Sequence, residues 1–88
     1  MSSEFLKIDK FLLGKGFYKI KEEQENDTIW FHYWKENEKI KVEIDVSNKG
    51  RIGLRAYTRT LRSIDYHCVL DCTTELCHLE DLMELLGM

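Results

Sequence analysis

Lys39-Ile40-Lys41-Val42-Glu43-Ile44-Asp45-Val46 alternates apolar with charged residues without a break. Side chains along an extended strand point alternately to opposite faces, so Ile40, Val42, Ile44 and Val46 share one side and Lys39, Lys41, Glu43 and Asp45 the other. The pattern predicts a strand with one dry and one wet face, as in an antiparallel sheet covered on one side only. Ser47-Asn48-Lys49-Gly50 follows, with asparagine and glycine available for the backbone angles of a hairpin connection. From Arg51 to about Thr60 the alternation resumes. Ile52, Leu54, Ala56 and Thr58 form its inward set, and Arg51, Arg55, Tyr57 and Arg59 point outward.

Two further strands are expected upstream. Phe17 to Gln24 is one, closed by the turn residues Glu25-Asn26-Asp27, and Thr28 to Trp34 is the other, ended by Lys35-Glu36-Asn37-Glu38. The short connections favour an antiparallel meander. Before the sheet, Ser2 or Ser3 can cap a helix with Glu4 in its first turn. Phe5, Ile8, Phe11 and Leu12 recur at helical spacing, Leu6 and Leu13 widen the stripe, and Gly14 and Gly16 stop it. After the sheet, Asp71, Thr73 or Thr74 is the expected cap of a helix bearing Leu76, Leu79, Leu82, Met83 and Leu86, with Gly87 at its end. Residues 61–70 suit either a helix or a short fifth strand, because Ile64, Tyr66, Cys68 and Leu70 alternate; the strand is preferred. The expected fold is therefore α+β, a two-layer antiparallel sheet of four or five strands flanked by N- and C-terminal helices. Both helices should pack on the face of Ile40, Val42, Ile44, Ile52 and Leu54.

Eighty-eight residues suit one small domain, 1–88, and a composition that is 43% hydrophobic without proline argues against disorder. The first residues carry no basic region followed by an apolar run, and no apolar stretch approaches the roughly 20 residues that span a bilayer. Three cysteines do not make a disulfide framework. A cytoplasmic location without membrane association is the resulting expectation.

The strand from Thr28 breaks the alternation rule. Trp30, His32 and Trp34 hold one parity, and Ile29, Phe31 and Tyr33 the other, so both faces are rich in rings. One tightly packed core can account for this; so can a cover over the second face, supplied by residues 61–70, a second copy or a foreign partner. Aromatic rings and arginines are enriched at interface hot spots. Trp30, Phe31, Tyr33, Trp34, Arg51, Arg55, Tyr57 and Arg59 are accordingly the candidate protein-binding residues.

Chemistry with a sharper signature is sparse. Cys68, Cys72, Cys77 and His78, with His67 beside them, are the zinc-ligand candidates, but there is no second knuckle, and neighbours on a helix diverge by about 100°. His67 and Cys68 on a strand face apart, whereas Asp65 and His67 share a face without an assigned nucleophile. Gly14-Lys15-Gly16 lacks the long loop and following Lys-Ser/Thr of a nucleotide site. No catalytic residue, cofactor or metal is expected.

Charge is uneven within a net −3. Lys49, Arg51, Arg55, Arg59 and Arg62 occupy an acid-free stretch, while from Ser63 onward Asp65, Asp71, Glu75, Glu80, Asp81 and Glu84 stand without Lys or Arg. Pairing of an acidic C-terminal helix with a basic strand is one reading, and an anion-binding surface another. Together these features point to a non-catalytic protein-binding module (an inhibitor, adaptor or assembly subunit) that also suits a homodimer. The alternatives are a nucleic-acid binder using the same arginines and rings, with Lys19, Lys21 and Lys41 extending the patch, and a small zinc-binding domain.

Overall fold

The computed structural model describes residues 2–59 and 66–88. Its element order is α1 (Ser3–Gly14), β1 (Tyr18–Glu25), β2 (Thr28–Glu36), β3 (Ile40–Ser47), β4 (Ile52–Arg59), β5 (Tyr66–Thr74) and α2 (Leu76–Leu85). The five strands form one antiparallel sheet in the order β1-β2-β3-β4-β5. The α+β layout expected from the periodicities is the one found.

Local chemistry explains the boundaries. Ser2 caps α1, its Oγ accepting the Phe5 amide proton at 3.1 Å. Beyond the helix Gly16 adopts φ 86°, a left-handed conformation that costs glycine little. The β3–β4 turn is tied by Ser47, whose Oγ accepts from the amides of Lys49 and Arg51 at 3.2 and 3.0 Å. Gly50, at φ 88°, lies under α1, and a Cβ there would stand 2.9 Å from Cγ of Glu4.

The core lies between the helices and one sheet face. Phe5, Ile8 and Leu12 of α1 and Leu79 and Met83 of α2 are buried there with Phe31, Tyr33, Val42, Ile44, Val46, Ile52, Leu54 and Ala56. Phe5 and Phe31 stack with ring centroids 4.5 Å apart. Ile40 is only partly buried, because it lies at the strand end. At the edge of the core Tyr33 pairs with Asp9: the Tyr33 hydroxyl donates to Oδ1 at 2.6 Å, and Lys19 Nζ lies 2.8 Å from the same oxygen.

Two local expectations change. Asp71, Thr73 and Thr74 are not helix caps, because β5 continues through Thr74 in register with Ile52, Gly53 and Leu54 of β4. Pairing with a neighbouring strand satisfies their backbone groups and outweighs their capping preference. Glu75 becomes the N-cap of α2, and its side chain makes no capping hydrogen bond. The fifth strand is longer than a short edge piece and runs alongside β4; it extends the sheet and does not fold over it. The part of the ambiguous segment before Tyr66, with Arg62, Ile64 and Asp65, lies outside the described residues.

Candidate functional site

Antiparallel register arranges the face opposite the helices into rows. One row runs Lys21–His32–Asp45–Gly53–Thr73, and the next Tyr18–Trp34–Glu43–Arg55–Asp71. Beyond them lie Lys41, Tyr57 and Cys68, then Arg59 and Tyr66. No helix among the described residues lies across this face, the open face of the sheet.

Alternation on β2 divides the aromatic candidates. Phe31 and Tyr33 are 2% and 1% exposed and belong to the core. Contact with a partner through these two would require unfolding, so they leave the candidate surface. Trp30 and Trp34 are half-buried on the open face, as are Arg55 and Tyr57, and Arg59 is exposed at the strand end. Arg51 lies apart, in the turn before β4, where it lines an open groove with Trp30, Gly53, Cys72, Glu75 and His78.

Side chains of the open face shelter one another. The Tyr18 ring tilts against Trp34 at 6.0 Å, Lys41 Nζ stands 5.8 Å from both the Trp34 and Tyr66 rings, and the Arg59 guanidinium 5.6 Å from Tyr66. The Tyr66 hydroxyl donates to Glu36 at 2.9 Å. Cation–ring contacts of this kind hold long side chains flat over aromatic surface.

A belt of polar contacts crosses the centre. His32 Nδ1 donates to Asp45, whose other carboxylate oxygen lies 3.4 Å from Arg55. Arg55 also lies 3.5 Å from Glu43, which is 3.3 Å from Lys41 and accepts from the Tyr57 hydroxyl at 3.4 Å. Burial, and then the negative charge of Glu43, push the Tyr57 hydroxyl above its usual range. His32 Nε2 is buried and makes no hydrogen bond among the described residues, with Glu23 Oε2 3.6 Å away. A buried polar atom without a partner is uncommon and marks a place where an incoming group would be rewarded.

Two surface residues escaped the sequence reading. Tyr18 is 67% and Ile20 51% exposed, high values for large apolar side chains. Ile20 is the extra residue of a bulge between Lys19 and Lys21, which disturbs the alternation of β1. It thereby joins Lys21, His32, Glu43, Asp45 and Arg55 around a cleft of about 200 Å³. A bulge has no periodic signature; the signal that was present is an isoleucine interrupting a run of charged residues.

Asp45 and His32 form the orienting half of an acid–base arrangement. The described residues lining their cleft include no serine, threonine or cysteine to act as nucleophile. His67 and Cys68 face opposite sides of β5, pairing with Thr58 and Tyr57 respectively.

The cysteines do not gather as the zinc expectation required. Cys68 is exposed on β5, and Cys72, opposite Leu54, packs partly against the core. Glu75, Cys77 and His78 come together instead, with their ligand atoms within 4.8 Å of one another. Cys77 Sγ donates to Glu75 at 3.6 Å. Slight desolvation, followed by that hydrogen bond and the carboxylate's charge, pushes the exposed Cys77 thiol above its ordinary range.

Among the described residues no ion pair joins the acidic C-terminal helix to β4, and those of Arg55 run to Glu43 and Asp45 of β3. Among the described residues no helix is long and apolar enough to cross a membrane. No family model, no characterised protein and no solved structure matches this chain.

Proposed function

We propose that this chain is a non-catalytic protein-binding domain and that the open face is its contact surface. Trp30, Trp34, Tyr18 and Ile20 supply apolar area, Tyr57 and Arg59 flank it, and the belt from His32 to Arg55 supplies polar specificity. The carrying observation is the combination, on a sheet face that no described helix crosses, of half-buried tryptophans, largely exposed Tyr18 and Ile20, and a His32 Nε2 without a hydrogen bond among the described residues. Large rigid rings lose little conformational entropy on docking, and rings set beside arginine are common interface anchors.

Charge favours protein over nucleic acid as the ligand. Phosphate binding needs uncompensated positive charge, since counterion release supplies much of the affinity. Arg55 is already held between Glu43 and Asp45, Lys41 lies beside Glu43, and Lys21 lies 2.7 Å from Glu23. A surface of mixed sign suits a protein partner that carries complementary charges in register.

Arg59→Glu and Trp34→Ala test the proposal, because neither replaces a core residue. The tagged chain and each variant, verified as folded by circular dichroism, are used to capture proteins from the native cell. A protein held stoichiometrically by the parent chain and released by both variants supports the proposal. Equal retention by all three overturns it. Low-salt titration with labelled single- and double-stranded oligonucleotides provides the counter-test, and salt-sensitive binding lost in Arg59→Glu would replace the proposal with the nucleic-acid reading.

A further inference from the structure

We infer that Glu75, Cys77 and His78 form a binding site for a zinc-class divalent cation at the start of α2. The inference rests on none of the open-face contacts; it keeps Cys77 and His78 from the sequence candidates, drops Cys68 and Cys72, and adds Glu75.

The convergence follows from how a helix begins. Glu75 is the N-cap, with extended backbone at φ −117° and ψ 159°, and the amides of His78 and Leu79 donate to its carbonyl at 3.0 and 3.1 Å. An N-cap side chain naturally reaches back towards the second and third helical positions. Those positions are Cys77 and His78. Within a helix, side chains at 77 and 78 would diverge; around the first turn, the cap residue brings a third donor between them. Glu75 is free for this role because its carboxylate makes no capping hydrogen bond.

The donors suit zinc in kind and nearly in spacing. Thiolate, imidazole and carboxylate are all zinc ligands, and bond lengths of about 2.0–2.3 Å place tetrahedral donor atoms roughly 3.4–3.7 Å apart. The three atoms here lie within 4.8 Å of one another, and all three residues are exposed. Rotation of unconstrained side chains can close the remaining gap without moving the backbone. A thiolate beside a carboxylate is unfavourable alone and becomes favourable with a cation between them. With one carboxylate only, the set is a poor match for magnesium or calcium, which take several oxygen ligands. Three protein donors leave a fourth position for water or a further ligand.

Cobalt(II) titration of the full chain, purified under reducing conditions and stripped of metal, is the test. The expected result is one equivalent bound, with a thiolate-to-cobalt charge-transfer band in the near ultraviolet that zinc abolishes and millimolar magnesium leaves intact. Cys77→Ser should remove the band, His78→Ala and Glu75→Gln should each weaken binding at least about tenfold, and Cys68→Ser and Cys72→Ser should retain it. No band at saturating cobalt, a band surviving in Cys77→Ser, or affinity unchanged in both His78→Ala and Glu75→Gln would each overturn the inference. The replacements at 68, 75, 77 and 78 are exposed and leave the core untouched, Cys72 packs partly against it, and circular dichroism of each variant verifies the fold.

Discussion

Phe31 and Tyr33 sit one residue away from Trp30 and Trp34 on the same strand, yet the two pairs have different surroundings. The first pair is sealed under α1, in contact with Phe5 and Asp9. The second lies on the side that no described helix crosses, sheltered among the described residues by the side chains of its neighbours, such as Tyr18 and Lys41. The core face satisfies itself; the open face pairs Arg55 with Glu43 and Asp45 but leaves apolar area exposed and His32 Nε2 without a hydrogen bond among the described residues. Ring content alone therefore says little about binding. What distinguishes a docking ring from a core ring is which layer stands over it.

Substitutions can break this contrast. Phe31→Ala should have the largest effect on folding, about 3–5 kcal/mol, because it empties a packed site. Chemical denaturation measures it, and a cost below about 1 kcal/mol would place Phe31 outside the working core. Trp34→Ala should cost about 1–2 kcal/mol in stability, but weaken a captured partner by about 2 kcal/mol or more, roughly 30-fold. Titration calorimetry with that partner reads the second quantity. If stability falls as far as in Phe31→Ala while affinity is kept, the open face is a second core.

Smaller changes sharpen the contrast at Tyr33. Tyr33→Phe keeps the ring and removes the hydroxyl donated to Asp9, so denaturation should report a loss of about 1.5 kcal/mol, typical of a hydrogen bond to a charged group. In the parent chain, burial, then the Asp9 hydrogen bond and its charge, drive the Tyr33 hydroxyl far above the usual tyrosine range. It should remain un-ionised in alkaline titrations that deprotonate exposed tyrosines.

The smallest effect concerns acid. Burial tends to raise the Asp9 carboxyl, but hydrogen bonds from Lys19 and Tyr33, with the charge of Lys19, outweigh it and hold Asp9 below its ordinary value of 3.8. A carboxylate whose folded value is depressed stabilises the fold fully above its unfolded value, and loses that contribution as pH falls through the folded one. Thermal melts should therefore show the parent chain more stable than Asp9→Asn at neutral pH, with the difference shrinking below about pH 4. A difference that grows with acidity would contradict the Lys19–Asp9–Tyr33 arrangement.

Much of the architecture was legible because its causes are local and periodic. Ile40, Val42, Ile44 and Val46 declared their face by alternation, and Phe5, Ile8 and Leu12 by helical spacing. Where a cause was non-local, reading stopped. The parity of Phe31 and Tyr33 was plain, but both parities of β2 held rings, and hydropathy cannot say which one meets the helices. Thr73 and Thr74 suit caps and strands alike, and the choice rested on the presence of β4 beside them.

Sequence by itself determined the order of both helices and the first four strands, the α+β class and the inward set of β3 and β4, since spacing along one chain decides which side chains share a face. Only the tertiary structure decided which ring pair of β2 is buried, that Arg55 is claimed by Glu43 and Asp45, that a bulge carries Ile20 to the cleft, and that Glu75 joins Cys77 and His78. Those outcomes depend on register, on the side chosen by the helices and on the geometry of a helix's first turn. Each is a relation between backbone segments in space, which spacing along the chain does not encode.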